Sequence, residues 1–138
     1  MKREVKLAIS GMHFDAGEEN ELETFVRAEY FCKNGSHYVI YEEKQEGFEE
    51  SSRNRIKFKP GLVELTRQGI LRTHMIFEEN QKHMTEYVTP YGELLLGINT
   101  KSICMQEEEN SILVTVEYSL EADGDFLSDC KIRILIKE

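Results

Sequence analysis

One arginine stands where chemistry could begin. Arg67 shares parity with Val63 and Leu65 in an alternating run, while Glu64, Thr66 and Gln68 take the opposite face. An inward guanidinium must find a carboxylate, a carbonyl or water, or leave by the end of the fold, because an unpaired buried charge is costly. Two roles are open to it: an anchor for a ligand's carboxylate or phosphate, or an internal salt bridge that caps the interior, with Glu42 a possible partner. The second is the commoner use of such a residue. Two tyrosines qualify next. Thr89-Pro90-Tyr91-Gly92 has proline at the second and glycine at the fourth position of a type I turn. It either aims the following strand or brings Tyr91 and Tyr87 to a mouth, where a phenol offers an apolar face and a polar tip.

Other chemistry-bearing types are present without a pattern. His13, His37, His74 and His83 never fall at HxH or HxxxH spacing, and no carboxylate recurs beside them as a ligand, so neither a metal nor a cofactor is expected. His74 falls on the outward parity of its strand with Arg72. The three cysteines, Cys32, Cys104 and Cys130, are odd in number and lack CxxC spacing, which disfavours a disulfide framework and a zinc site and leaves free thiols. No nucleophile elbow or glycine-rich phosphate loop occurs, so no catalytic residue can be named and a non-enzymatic protein is favoured.

The elements that must position these residues follow a period of two. Ile112, Val114, Val116, Tyr118 and Leu120 share one face of a long run; Cys130, Ile132, Ile134 and Ile136 share one face of the next. Asp123-Gly124 between them tolerates the positive φ of a tight hairpin. Asn34-Gly35 similarly joins a strand near Thr24–Lys33 to one near His37–Glu43, and Pro60-Gly61 joins Asn54–Lys59 to Leu62–Gln68. Leu71, Thr73, Met75 and Phe77 share one parity as an inward row and Leu94, Leu96, Ile98 and Thr100 form another, the last in a strand read as Glu93–Lys101. Gly69, Asn80 and Asp15-Ala16-Gly17 interrupt at comparable intervals. Glu18–Phe25 and Gln45–Ser52 are polar enough for a helical turn or a loop. Turn signals every eight to twelve residues or so predict an all-β fold of nine or ten strands (about 8-10), one antiparallel up-and-down barrel domain spanning residues 1–138. Whether its interior is hollow is not legible, with solid packing the favoured outcome.

From Phe25 onward, ordered blocks resemble a known family. They are Lys33-Asn34-Gly35 with Tyr38-Val39-Ile40-Tyr41-Glu42-Glu43, then Val63-Glu64-Leu65-Thr66-Arg67-Gln68-Gly69, Met75-Ile76-Phe77-Glu78, Tyr87-Val88-Thr89-Pro90-Tyr91-Gly92 and Gly97-Ile98-Asn99-Thr100-Lys101. In order and spacing the chain resembles the YwiB-like family of uncharacterised bacterial calycin-like (lipocalin-like) β-barrels, over about four-fifths of its length. The resemblance implies a closed barrel with no assigned activity, catalytic residue or cofactor. The chain departs from secreted lipocalins: it has no tryptophan for a Gly-x-Trp element, no disulfide pair and no export signal, so a retinoid-type transport role does not carry over.

Charge narrows the partners. Seventeen Lys and Arg against 26 Asp and Glu give a formal net charge of -9, which disfavours general binding to nucleic acid or an anionic membrane. No apolar run approaches the ~20 residues of a membrane-spanning helix, so a cytoplasmic location is expected. Against that background Arg53, Arg55, Lys57 and Lys59 alternate with Asn54, Ile56 and Phe58 to make a cationic ridge. It is a solvated or edge-protecting strand face, or a dock for an anionic partner or for the acidic runs of a second copy in a homodimer. The leading expectation is a barrel that binds a small, partly apolar anionic molecule at one end of its interior, with Arg67, Tyr91, Tyr87 and Glu42 as contacts. The alternative is a protein-protein interaction module with a solid interior and no ligand.

Overall fold

The computed structural model describes residues 1–11, 25–44 and 51–138. It contains ten strands: β1 (Glu4–Ser10), β2 (Val26–Lys33), β3 (Ser36–Lys44), β4 (Ser51–Lys59), β5 (Leu62–Gln68), β6 (Thr73–Glu78), β7 (Lys82–Thr89), β8 (Gly92–Glu107), β9 (Ser111–Ala122) and β10 (Asp125–Lys137). His13, the Asp15-Ala16-Gly17 turn and most of the Glu18–Phe25 and Gln45–Ser52 segments lie outside the described residues; Ser51 and Ser52 already belong to β4.

Every named pairing is antiparallel, and the sheet order is β6-β5-β4-β3-β2-β1-β10-β9-β8-β7. Consecutive strands are therefore neighbours, and β1 beside β10 brings the two ends of the chain together. Between β6 and β7 the seam is narrow. Arg72 and Val88 exchange two backbone hydrogen bonds of 2.9 Å, and farther along it Asn80 N–H donates to the Thr100 carbonyl at 3.0 Å. The result is a nearly closed ten-stranded meander barrel, which leaves little unpaired strand edge.

Local chemistry explains the turns. Asn34-Gly35 and Asp123-Gly124 all have positive φ (52°, 79°, 50° and 88°), the conformation of the two-residue hairpin that both dipeptides favour. At Gly69 the reason is space: a Cβ there would stand 2.7 Å from the Ser52 Cβ, so the chain crosses β4 closely only without a side chain.

The inward rows expected in β9 and β10 are buried, Cys130 only partly, as are Thr73, Met75 and Phe77, and the Phe77 ring meets Tyr118 edge-on. Strand β8 departs from the sequence reading. It runs to Glu107 rather than stopping near Lys101, and its register with β9 shifts between Thr100 and Ser102. That extra residue changes the inward parity from Leu96, Ile98 and Thr100 to Ile103 and Met105. A second shift, between Phe126 and Ser128, lies at the start of β10.

The four strands β3 to β6 carry three stacked inward rows. His37–Phe58–Val63–Phe77 lies towards the Asn34-Gly35 and Pro60-Gly61 turns, Val39–Ile56–Leu65–Met75 is in the middle, and Tyr41–Asn54–Arg67–Thr73 lies at the other end. The first two rows are apolar apart from His37; the third is polar.

Candidate functional site

The polar row arises because each strand runs out of apolar residues at the same level. In β4 the inward sequence is Phe58, Ile56, Asn54; in β5 it is Val63, Leu65, Arg67; in β6 it is Phe77, Met75, Thr73. Long-range register lines up Asn54, Arg67 and Thr73 and adds Tyr41 from β3.

Arg67 lies on the inward parity, one-fifth exposed, and its Nη2 is 3.3 Å from Oε1 of Glu43. Glu42, the partner considered from sequence, is on the outer surface opposite Arg53. The run Tyr38-Val39-Ile40-Tyr41 is apolar on both parities, which hid the face that each following glutamate would take. Tyr41 and Glu43 share the inward parity. The Tyr41 phenol has its pKa raised, first by burial and then by the Glu43 carboxylate, with Arg67 and Asn54 acting in the opposite direction.

Asn54 is the unusual member. It is only 3% exposed, yet neither its Nδ2 nor its Oδ1 has a hydrogen bond of good geometry among the described residues, although the amide is close enough to the Tyr41 hydroxyl to favour the phenolate. The Oγ1 of buried Thr73 is likewise unpartnered. A buried polar atom left without a partner costs about 1–3 kcal/mol, so this row holds three such atoms within one cross-strand ladder. The cavity they line with Ile56, Leu65 and Met75 is about 20 Å³, counted as room for the centre of a water molecule. That suits one water or one oxygen of a larger group. It does not suit an apolar ligand body, and the levels below are filled by buried Ile56, Phe58, Val63, Phe77 and their neighbours.

The tyrosines separate. Tyr87 is half-buried against the core, paired across the strands with Leu94. Tyr91 is 91% exposed, at the tip of the β7–β8 turn, where the Thr89 Oγ1 accepts its backbone N–H at 3.1 Å and donates to the Gly92 carbonyl at 2.9 Å. Tyr91 is therefore outside the cavity lining. Leu94 has the inward parity expected of it but is exposed, as are Leu127 and Phe126 at the start of β10. This end of the barrel has a polar row on β3–β6 and an apolar rim on β8–β10. Sequence patterning missed Asn54, Thr73, Tyr41 and Glu43 as site residues; the only available signal was a polar residue at an inward parity, repeated in consecutive strands.

The opposite end is built differently. The Tyr30 hydroxyl and His37 Nδ1 share a 2.6 Å hydrogen bond, and the His37 ring stacks on Phe58 at 4.8 Å. Its Nε2 lies 3.8 Å from Glu107 of β8. His74 and His83 meet Glu64 and Glu78 at 3.0 and 2.9 Å. Among the described residues no group of three or more His, Cys, Asp or Glu is arranged to hold a metal. The cysteines are free: Cys32 and Cys104 are exposed, and the Cys130 Sγ lies 3.2 Å from the Ser128 Oγ. No helix among the described residues is long and apolar enough to cross a membrane.

Comparison with known proteins agrees with the architecture. The model of the family described as "Domain of unknown function (DUF1934)" matches residues 7–134. Among solved structures, the crystal structure of the ywiB protein from Bacillus subtilis is similar to this chain with a TM-score of 0.79 and 21% sequence identity, covering 99% of this chain and 94% of the other. At that identity the likeness speaks for the fold alone. No curated protein matches the chain.

Proposed function

We propose that this chain, which belongs to the DUF1934 family of domains of unknown function, binds a small amphipathic anion across the polar end of its barrel. The observation that carries the reading is Asn54, nine-tenths buried with no hydrogen bond of good geometry at either amide atom, two strand positions above a sealed apolar core. The expectation of a ligand inside the barrel is narrowed accordingly, because the cavity beside the Arg67–Glu43 pair has room for about one oxygen and the rows below Asn54 are buried. In the proposed complex one carboxylate or phosphate oxygen enters the cavity, accepts from Asn54 Nδ2 and Thr73 Oγ1, and displaces Glu43 from the Arg67 guanidinium. The apolar part stays outside on the Leu94 and Leu127 rim. Arg67 is suited to the exchange because its fork can bind either carboxylate, and Glu43 is exposed enough for water to solvate it once released.

No step in this reading requires catalysis, and the free thiols suit a reducing compartment such as the cytoplasm. The test is native mass spectrometry of gently purified protein, followed by titration of the stripped protein with octanoate by calorimetry. A stoichiometric anionic adduct, or saturable octanoate binding that Arg67→Met weakens at least tenfold, is the expected result. A clean apo mass together with no heat of octanoate or inorganic phosphate binding at millimolar concentration would overturn it.

A further inference from the structure

The outer surface of β2–β5 is unlike the rest of this acidic protein. On the outward faces of β3 to β5, Lys44, Arg53, Arg55, Lys57 and Lys59 outnumber Glu42 and Glu64. Lys57 is engaged, 3.9 Å from Glu64 and 5.6 Å above the Tyr38 ring centroid. Arg53, Arg55 and Lys59 make no ion pair among the described residues, in a chain with nine more acidic than basic side chains. All three side chains are exposed. Alternate residues on a strand recur every roughly 6.8 Å, so the three form a line of charge.

An aromatic shelf adjoins that line. Phe31 of β2 stacks on Tyr38 of β3, ring centroids 4.9 Å apart and planes 8° apart, and the Lys57 ammonium is 5.6 Å from the Tyr38 centroid. Phe31 remains 38% exposed. The register puts Lys33 and Lys59, on either side of Ser36, next to this shelf and Ile40 with Arg55 on its far side. Lys33, Lys59 and Arg55 therefore lie around the half-exposed Phe31 ring, with Glu29, paired with Ile40, an acidic neighbour on β2.

We propose that this surface binds single-stranded nucleic acid, with a base stacked on Phe31 and the phosphodiester backbone running along Lys59, Arg55 and Arg53. Stacking platforms flanked by Lys and Arg are how sequence-tolerant single-strand binding is built. An acidic polypeptide would use the charges but gain little from Phe31. It also has no strand edge to extend here, because β4 is hydrogen-bonded on both sides. The overall charge of -9 argues against general adhesion to polyanions, and the local reversal of sign confines binding to this face. Neutralising about three phosphates gives a log–log salt slope near -2, so affinity falls roughly 20-fold between 50 and 200 mM salt.

Fluorescence anisotropy with a labelled 12-nucleotide mixed-sequence RNA, and separately with a labelled poly-glutamate peptide, tests the proposal. The expected result is saturable RNA binding with that salt slope, lost on R53E/R55E and weakened at least fivefold by Phe31→Ala. Both variants are checked for wild-type circular dichroism, and their substituted side chains are exposed, so a loss of binding is not a loss of fold. Absence of RNA binding at 50 mM salt would overturn the proposal. So would RNA binding indifferent to both variants, or poly-glutamate binding as tight as RNA and insensitive to Phe31→Ala, which would point to an acidic protein or a second copy of the chain.

Discussion

The two ends of the barrel use the same four strands to opposite effect. Towards the Asn34-Gly35 turn, the inward row His37–Phe58–Val63–Phe77 is sealed: the polar His37 is stacked on Phe58 and hydrogen-bonded to Tyr30. At the other end Tyr41–Asn54–Arg67–Thr73 places more polar atoms in a similar position and leaves three of them unpartnered. On these four strands one end satisfies its inward polar residue and the other does not; the remaining unpartnered buried side-chain atom among the described residues, Thr100 Oγ1, is on β8 beside Tyr118. Local energetic deficits of this kind concentrate where a protein binds something.

The largest expected effect breaks the sealed end. Phe58→Ala removes a side chain that is 1% exposed and supports the His37 ring, so it leaves a cavity and costs about 3–5 kcal/mol. Urea denaturation monitored by circular dichroism measures it. A loss below about 1 kcal/mol would mean that this end is as loosely packed as the other, and the contrast would fail.

Alkaline pH probes the core that joins the two ends. Tyr118 is 3% exposed, meets Phe77 edge-on at 4.9 Å, and has its pKa raised above the usual tyrosine value, chiefly by burial and then by Cys130. The folded state holds this proton more tightly than the unfolded chain. Its contribution is thus fully present below about pH 10 and is lost as the pH rises from there towards the folded pKa, by up to about 1.4 kcal/mol per pH unit. Stability measured at pH 9, 10, 11 and 12 should be flat at first and then fall. Phenolate absorbance from Tyr118 before unfolding would contradict its placement.

Tyr30→Phe has a smaller effect. It deletes the hydroxyl bonded to His37 and should lower stability by about 1 kcal/mol, again read from urea denaturation. Unchanged or increased stability would show that the polar contact at the sealed end is no better satisfied than those at the open end.

How much of this was legible differs between the same two regions. The strands, the hairpins at Asn34-Gly35 and Asp123-Gly124, and the inward parity of Arg67 follow from period-two patterning and turn chemistry, which are local. Three features are not local. The register that brings Asn54 beside Arg67 and Thr73 depends on pairing across three strands. The choice of Glu43 over Glu42 depends on the face taken by a run that is apolar on both parities. The inward parity along β8 depends on a register shift after Thr100 that reverses it, so Ile103 and Met105 continue an inward row that even-numbered residues began. The site therefore escaped sequence reading for the reason that the fold did not: it is made by long-range register, not by a motif.

An effect of similar size and opposite sign is the most discriminating. Asn54→Leu replaces two unpartnered amide atoms by apolar ones of similar bulk, in a row that already rests on Ile56 and Leu65. Removing both desolvated atoms should raise stability by about 1 kcal/mol, the opposite sign to Tyr30→Phe at the sealed end. The same change removes the donor that the anion would use, so calorimetric binding of octanoate should vanish while the urea midpoint rises. A stabilised protein that no longer binds is what a functional deficit predicts. A destabilised Asn54→Leu protein would instead mean that the amide is satisfied in solution, and the difference between the two ends would be one of composition alone.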